Sequence, residues 1–369
     1  MLSKTHPYFT LIVLAASPLV SAAAAEEKPA PAAQQVEPAT GQAPNETWES
    51  ENRQAALRVQ LFLDREGFGP GKIDGRWGGF SQKAAERWNA SESSSKIAIL
   101  EGGLLDVAKA NEISYSDELL TSYQVTDKDQ ALIGDVPDKP EEMAKLKELP
   151  YTSLLELVAE KFHSDPDYLR EINGLGPDGG LSVGSKVKVP NVEKPFDIAE
   201  PMALSKAAED AKGQDKKADK DKAAETSDDK AKVEPKMELT VIRNQQVVEL
   251  RDGGKLIRSF PISPGASDNQ SPAGNWRVSS VSWMPEFRWD KSMLEDGKRS
   301  KDAHLLPPGP NNPVGIVWIA LNADGIGLHG TPFPDDIGRN RSHGCIRLSN
   351  WDALDLGKII TPGTRVVVN

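Results

Sequence analysis

The residues best suited to chemistry lie together near the C-terminus, between Ile326 and Asn350. This stretch holds the only cysteine of the chain, Cys345, and two of its five histidines, His329 and His343. A free thiol has a pKa of about 8.5, so a nucleophilic cysteine needs a nearby base or positive charge to lose its proton at neutral pH. His343 precedes Cys345 by two residues and Arg347 follows it by two, so in an extended backbone these side chains share one face. The pattern predicts a reactive thiol.

His329 reaches the same site only if the chain folds back between the two histidines. Ile326 to Leu328 are typical of the end of a buried strand, and the prolines, aspartates and glycine of residues 332–338 predict a long turn. A second short strand would then place Cys345 beside His329. Gly344 lacks a Cβ and can adopt a positive φ, so the amides of Gly344 and Cys345 could face a developing oxyanion.

Two other interpretations of this stretch compete with the nucleophile. Cys345 could be a small buried hydrophobe, although core cysteines rarely have such polar neighbours. A zinc site from His329, His343 and Cys345 would need a further ligand, such as His304 or an aspartate of the loop. It also lacks the compact ligand pairs of strong zinc motifs. The nucleophile is favoured, with no metal and no cofactor.

These motifs resemble those of the L,D-transpeptidases, cysteine enzymes that cross-link peptidoglycan. The resemblance rests on H-G-T at His329, S-H-G-C-I-R-L from Ser342 to Leu348, S-P-A-G at residues 271–274 and G-P-N-N-P-V-G at residues 309–315. It covers residues 237–369, about a third of the chain. The resemblance implies a mostly-β catalytic domain, a β-sandwich with the cysteine in a cleft.

The resemblance also implies roles for individual residues. Cys345 attacks the carbonyl of the third residue of a stem tetrapeptide, and D-alanine leaves. His329 is expected to take the thiol proton, with its other nitrogen held by a backbone carbonyl near Gly330. We expect His343, Gly344 and Gly330 to complete the catalytic set. The residues expected to contact substrate are Arg347, Ser342 and Trp283. Trp283 could equally belong to the core.

The chain begins with an expected export signal in residues 1–25, where Lys4 precedes a short apolar run and small residues suited to cleavage. We therefore expect an exported protein of the periplasm or cell wall, with no transmembrane segment after cleavage. Residues 26–46 are rich in Ala, Pro, Gln and Glu and predict a disordered leader. The net charge of −11 argues against nucleic acid as a partner.

Residues 47–110 predict a small helical unit. One helix should end at Gly67, and a second, capped by Ser81, should follow the turn G-P-G-K-I-D-G-R-W-G of residues 69–78. The arrangement resembles the peptidoglycan-binding module of wall enzymes. The alternative is a helical spacer with Trp77 and Trp88 in its core. Residues 111–148 are a connector, with a helix expected to start at Lys139 and Pro140.

Residues 149–193 combine two short helices with the run L-S-V-G-S-K-V-K-V-P, which predicts a strand. They resemble the later part of a LysM module, which binds N-acetylglucosamine polymers. The usual first strand is missing directly before the helices, but Tyr123 to Thr126 could supply it after an insertion. A degenerate structural unit remains the alternative to a glycan-binding module.

Residues 194–236 are dominated by Lys, Asp, Glu and Ala and predict a charged linker that could tether the catalytic domain to a wall-bound anchor. The fold class is therefore multidomain: small helical and α+β modules, then the β-sandwich. Peptidoglycan stem peptides and glycan strands are the expected partners. A hydrolase acting on the same bond and a non-catalytic wall-binding protein remain alternatives.

Overall fold

Helix α1 (Glu46–Arg65) is the first element of the described part of the chain. The segment forms a helix because its apolar residues recur at helical spacing and bury one face. The structure is a computed structural model that describes residues 46–218, 236–265, 273–292, 299–323, 325–339 and 344–369. The predicted export signal, all of the predicted leader but its last residue, and residues 219–235 of the predicted linker lie outside the described residues. Ser342 and His343 also lie outside them.

The N-terminal helical unit continues with α2 (Gly79–Ala90) and α3 (Val107–Asn111). Buried Gln60 holds the turn between α1 and α2: its side-chain oxygen accepts from the Gly75 amide at 2.8 Å, and its nitrogen donates to Asp74 at 3.0 Å. Trp88 packs edge-on against Phe62 at 5.1 Å, which is core packing. The predicted cap is wrong: α2 begins at Gly79, so buried Ser81 lies within the helix.

The next unit is a two-stranded sheet with helices. Strand β1 (Leu120–Gln124) pairs antiparallel with β2 (Lys186–Pro190), so the strand expected near Tyr123 is present and lies far from its partner in sequence. Between them lie four helices: α4 (Asp127–Gln130), α5 (Pro140–Met143), α6 (Leu154–Lys161) and α7 (Pro166–Ile172). Helix α5 begins at Pro140, as predicted. Strand β2 is shorter than the predicted run because residues 182–185 form a turn.

Helix α8 (Ala199–Ala218) occupies the first part of the predicted linker. The structure differs from the prediction at the linker's start, because Phe196 and Ile198 are buried in the core and Lys358 contacts Glu200 at 3.0 Å. The charged composition hid these few apolar anchors. Within the described residues, we find no helix long and apolar enough to cross a membrane.

The C-terminal part is built on an eight-stranded sheet. Its strands are β3 (Met237–Ile242), β4 (Val247–Asp252), β5 (Lys255–Pro261), β6 (Gly274–Trp283), β9 (Val317–Leu321), β10 (Gly327–His329), β11 (Ile346–Arg347) and β12 (Arg365–Val368). Neighbouring strands are hydrogen-bonded in the order β11-β10-β9-β6-β12-β3-β4-β5. The ten residues of β6 join its two halves. Residues 274–277 pair with β12 and residues 278–283 with β9, across a register shift after Val278. In place of the separate sheets of the expected β-sandwich, the eight strands therefore form one continuous hydrogen-bonded order, and β6 belongs to both halves of it.

Two further elements complete this part. A separate hairpin consists of β7 (Phe287–Trp289) and β8 (His304–Leu306), which the sequence did not predict. Helix α9 (Asn350–Ile359) follows the cysteine motif and is capped by Ser349, whose hydroxyl accepts from the Asp352 amide at 3.2 Å. Its buried Leu354 and Leu356 join the main apolar core with β9 and β10.

The N-terminal units pack directly on the C-terminal strands. The loop after α1 runs along β5, the last strand of the order. The Gly69 amide donates to the Ser259 carbonyl at 2.7 Å, and the Ser259 amide donates to the Gly67 carbonyl at 3.1 Å. The described residues between 46 and 369 form one compact unit. A catalytic domain free to move on a tether is therefore not what the structure shows, since the described N-terminal units and the strands share one contact surface.

Candidate active site

His329 ends strand β10 and is buried, with only 4% of its surface exposed. Its Nδ1 lies 2.6 Å from the carbonyl oxygen of Gly330. Because a carbonyl can only accept a hydrogen bond, Nδ1 must carry a proton, and in the neutral ring Nε2 then has the lone pair. The backbone contact expected from the sequence is present.

Trp318 supports the imidazole from one side. The two rings stack, with centroids 5.5 Å apart and planes inclined by 21°. Gly327 makes room for this arrangement, because a Cβ there would lie 3.0 Å from the indole and 2.6 Å from the Ile319 carbonyl oxygen. Sequence reasoning missed Trp318, since an aromatic residue in a buried strand carries no signal beyond core packing.

Burial lowers the pKa of His329 to about 4. The hydrogen bond to Gly330 opposes this shift, and the positive charge of Arg347 adds to it. A buried imidazolium is unfavourable because it loses the hydration of its charge. His329 is therefore neutral at physiological pH, which is the state a base needs before it accepts a proton.

Cys345 follows Gly344, whose φ of +111° confirms the positive value predicted from its lack of a Cβ. The cysteine is half-buried, and its Sγ donates to the carbonyl oxygen of Gly325 at 3.4 Å. Burial raises the pKa of this thiol, while a hydrogen bond from the Gly327 backbone and the charge of Arg347 lower it. The geometry thus holds a protonated thiol at the start of β11.

The parallel pairing of β10 with β11 brings histidine and cysteine together. His329 lies opposite Arg347 in the register, and the Leu348 amide donates to the His329 carbonyl oxygen at 2.8 Å. Paired residues point to the same side of a sheet, as do residues two apart along one strand. The Arg347 charge acts on the pKa of both His329 and Cys345, so Arg347 lies near each of them.

Ser263 fixes β11 from its other side and was also missed. It exchanges two backbone hydrogen bonds with Arg347, each of 3.0 Å. Its buried hydroxyl donates to the Asp336 carbonyl oxygen at 3.0 Å and accepts from the Gly338 amide at 2.8 Å. One serine therefore ties the cysteine strand to the loop between His329 and Cys345. A lone serine after a strand gave no reason to expect this.

Asn350 is the third residue that the sequence did not single out. It is fully buried, and its Oδ1 accepts from the Ile316 amide at 3.3 Å. A Cβ on Gly330 would lie 2.2 Å from that oxygen, and one on Gly315 would lie 2.1 Å from it. The two glycines, one from H-G-T and one from G-P-N-N-P-V-G, thus leave space for a single amide that packs behind His329.

Other predicted site residues have different outcomes. Trp283 is partly buried and packs its ring against Gly357 of α9, where a Cβ would lie 3.0 Å from it. Its predicted contact with substrate stays a prediction. His304, considered as a zinc ligand, lies on β8 beside Trp289. Across the described residues, we find no group of three His, Cys, Asp or Glu side chains placed to hold a metal ion. Ser342 and His343 belong to the segment that is not described.

Comparison with known proteins gives a consistent family. Residues 237–368 match the family model YkuD, the L,D-transpeptidase catalytic domain. The chain is 28% identical over 130 residues to a Bacillus licheniformis protein whose name assigns it to the L,D-transpeptidases, YkuD, covering 35% of this chain and 64% of that protein. It is 31% identical over 114 residues to a Bacillus subtilis protein with the same kind of assignment, YqjB, covering 30% and 57%.

Among solved structures, L,D-transpeptidase 3 from Mycobacterium tuberculosis aligns with 37% of this chain and 61% of its own, at 21% identity and a TM-score of 0.31. The chain spans less than two thirds of the length of each of these relatives. The matched region holds the histidine, the cysteine and the strands that bring them together. Residues 237–368 therefore match the catalytic domain of the L,D-transpeptidases.

Proposed function

We propose that this protein is a peptidoglycan L,D-transpeptidase in which Cys345 is the nucleophile and His329 the base. The observation that carries the proposal is the hydrogen bond between Nδ1 of His329 and the Gly330 carbonyl, because it leaves Nε2 of the neutral ring without a proton. The pairing of β10 with β11, which begins one residue after Cys345, supports a position of the thiol near this ring. Nucleophile, base and a group that orients the base are the three parts of a covalent acyl-transfer site.

The first half-reaction forms a thioester. Nε2 of His329 takes the proton from Sγ of Cys345, and the sulfur attacks the carbonyl carbon of the third residue of a donor tetrapeptide. We assign the amides of Gly344 and Cys345 to the oxyanion, supported by the positive φ of Gly344. The tetrahedral intermediate then collapses. The nitrogen of D-alanine takes the proton from His329 and leaves.

The second half-reaction transfers the acyl group. The side-chain amine of an acceptor stem attacks the thioester and gives its proton to His329, which returns it to the departing sulfur. The products are an amide cross-link and the free thiol. Arg347, with His343 and Ser342 from the segment that precedes Cys345, would bind the substrate carboxylates and stabilise charge. The chemistry needs no cofactor and no metal.

Two alternatives share parts of this account. If water replaces the acceptor amine, the enzyme is an L,D-carboxypeptidase, because the thioester is common to both reactions. A non-catalytic wall-binding protein would instead use residues 47–110 and 149–193 as peptidoglycan-binding-like and LysM-like modules. The first alternative differs from the main proposal only in the acceptor. We further propose export to the periplasm or cell wall, where stem peptides and glycan strands are the partners.

Product analysis tests the proposal. The protein without residues 1–25 is incubated with a disaccharide tetrapeptide and an excess of acceptor stem, and the products are identified by mass spectrometry. A cross-linked dimer plus free D-alanine supports the transpeptidase, whereas tripeptide alone supports the carboxypeptidase. C345A is the matched control and should form neither product. Binding to purified sacculi without turnover by the unmodified protein would favour the wall-binding alternative.

A further inference from the structure

A carboxyl group from the N-terminal part of the chain reaches the back of the active site. Glu160 lies on α6, within the LysM-like unit, and only 7% of it is exposed. It accepts a hydrogen bond from the Tyr151 hydroxyl and another, of 2.8 Å, from Nδ2 of Asn350. Asn350 belongs to α9 of the catalytic domain. This contact joins two parts of the chain 190 residues apart.

The amide of Asn350 is held at both ends. Its nitrogen donates to Glu160 and to the Pro310 carbonyl oxygen, at 2.8 and 3.3 Å, and its oxygen fills the space between Gly315 and Gly330. A buried amide with fixed donors and acceptors has one favourable orientation. Glu160, which makes the shorter of the two contacts with the nitrogen, therefore helps the Pro310 carbonyl and the Ile316 amide to fix which end of the amide faces Gly330.

Gly330 connects this amide to the proposed base. Its carbonyl oxygen accepts from Nδ1 of His329, and its amide donates to the Val317 carbonyl oxygen at 3.2 Å. A shift of the Gly330 peptide would move the acceptor that fixes the tautomer of His329. These contacts connect Glu160, through Asn350 and Gly330, to the imidazole of His329.

The same unit also holds the neighbouring motif loop. Nδ2 of Asn311 donates to the Pro150 carbonyl oxygen at 2.7 Å and to Glu156 of α6 at 2.8 Å. The Leu149 amide donates to the Pro308 carbonyl oxygen at 2.8 Å. Glycan binding, the function that the sequence suggests for this unit, gives no reason for these contacts. They make α6 a buried support for the loop that carries Gly315.

We propose that Glu160 is a positioning residue for catalysis, which acts through Asn350 to hold the Gly330 carbonyl against His329. The proposal rests on the proposed function, in which His329 is the base. It assigns to the LysM-like unit a role inside the catalytic domain, separate from any role in glycan binding. Burial raises the pKa of Glu160 to about 7, and the hydrogen bonds from Tyr151 and Asn350 oppose that shift.

An exchange of donor and acceptor tests the contact. N350D removes the donor and faces Glu160 with a second carboxyl group, while E160Q with N350D restores a donor on the opposite side. The readouts are kcat and KM for release of D-alanine from the donor, and the ¹⁵N signals of the His329 ring after selective histidine labelling. H329Q identifies those signals.

We expect N350D to lower kcat about tenfold or more, with KM changed less than about twofold, because a small displacement of a catalytic group is costly. N350D should also weaken the ¹⁵N signal that identifies a protonated Nδ1 in His329. The double variant should recover most of kcat and that signal. A double variant no better than N350D, or an N350D protein with unchanged kcat and ring signals, would overturn the proposal.

Asp129 supplies a matched control that also covers the case in which N350D does not fold. It is a buried carboxylate of the same unit, 6% exposed, that accepts from the Tyr123 hydroxyl at 2.7 Å and from Thr126, all within that unit. E160A should lower kcat and D129A should not, at comparable losses of Tm. Equal effects on kcat would reduce Glu160 to a stability role and contradict the proposal.

The two readouts separate failure of this inference from failure of the proposed function. If the unmodified protein released no D-alanine from any donor, the transpeptidase proposal would fail. The ¹⁵N signals of His329 would still report whether Glu160 and Asn350 hold its tautomer.

Discussion

At the scale of single residues, burial sets the protonation of His329 and Cys345, the proposed catalytic pair. The pKa of His329 is lowered to about 4 and that of Cys345 is raised, both because desolvation penalises the charged form. At pH 7 only about one imidazole in a thousand would then be protonated. The resting groups are therefore a neutral thiol and a neutral imidazole, and in the proposed mechanism the proton moves when the sulfur attacks substrate.

The pH dependence of thiol alkylation tests this protonation state. Cys345 is the only cysteine, so iodoacetamide reports on it alone. Because alkylation follows the thiolate, we expect the rate to rise steadily from pH 6 and to level off only above about 8.5. The unfolded chain gives the reference pKa. A plateau between pH 5 and 7 would instead indicate a preformed thiolate and imidazolium pair.

Trp318 tests the cause of the His329 shift. W318A removes the ring that stacks on the imidazole and lets water reach it, so the pKa of His329 should rise from about 4 towards 6.5. An NMR titration of the ring signals measures the change. W283A, which removes an aromatic side chain that packs on α9, is the control. A pKa of His329 that stays near 4 in W318A would contradict desolvation as the main cause.

At the scale of secondary-structure elements, helix α9 carries a buried carboxyl at its first turn. Asp352 accepts from the Ser349 hydroxyl at 2.7 Å, yet burial raises its pKa to about 7, opposed by that hydrogen bond and by the charge of His163. His163 lies within 2.8 Å of Asp64 on α1 and stacks on Trp351. The start of α9 is therefore packed against charged groups of both N-terminal units.

Replacing Asp352 should change how stability depends on pH. An unfolded aspartate titrates near 3.9, so between pH 4 and 7 the folded state binds more protons and this group's contribution to stability falls as pH rises. D352N does not titrate. We expect the Tm of D352N minus the Tm of the unmodified protein to increase from pH 4 to pH 8, by about 2–4 °C per kcal/mol recovered. Thermal unfolding across this range measures the difference, and a constant or shrinking gap would contradict the assignment.

Most elements of the catalytic domain can be predicted from the sequence because their signals are local. Short β-branched or aromatic runs, separated by Gly, Asn and Asp turns, indicate β3 to β6 and β12. Ser349, with Asp352 in the first turn, indicates the cap of α9. The positions that orient His329 could not be found this way. Trp318, Ser263 and Asn350 act through the register of β10 and β11 and through contacts distant in sequence, which no local pattern encodes.

At the scale of the whole molecule, the N-terminal units are part of the catalytic domain's support. The loop after α1 pairs with β5 and covers the edge of the strand order, which would otherwise expose unpaired amides and carbonyls. A second contact lies at the loop between His329 and Cys345. Lys72 of the helical unit bridges Asp335 in that loop and Asp165, the N-cap of α7.

Removal of the N-terminal units should therefore destabilise what remains. We expect a chain of residues 237–369 to aggregate or to melt well below the unmodified protein, because β5 becomes an open edge and the groups that hold Asn350 and Asp335 are lost. Size-exclusion chromatography and thermal unfolding measure this. Residues 46–369, which keep the packed units, are the control. A monomeric fragment with an unchanged Tm would contradict the structural role.

The central claim is that Cys345, with His329 as its base, forms a thioester with the donor stem. Intact-protein mass spectrometry after brief exposure to a disaccharide tetrapeptide tests it most directly. The account predicts an added mass equal to the donor minus D-alanine, located on Cys345, and absent from C345A and strongly reduced in H329Q. A protein with a reactive thiol that turns over the donor without such an adduct, or an adduct that persists in C345A, would contradict it.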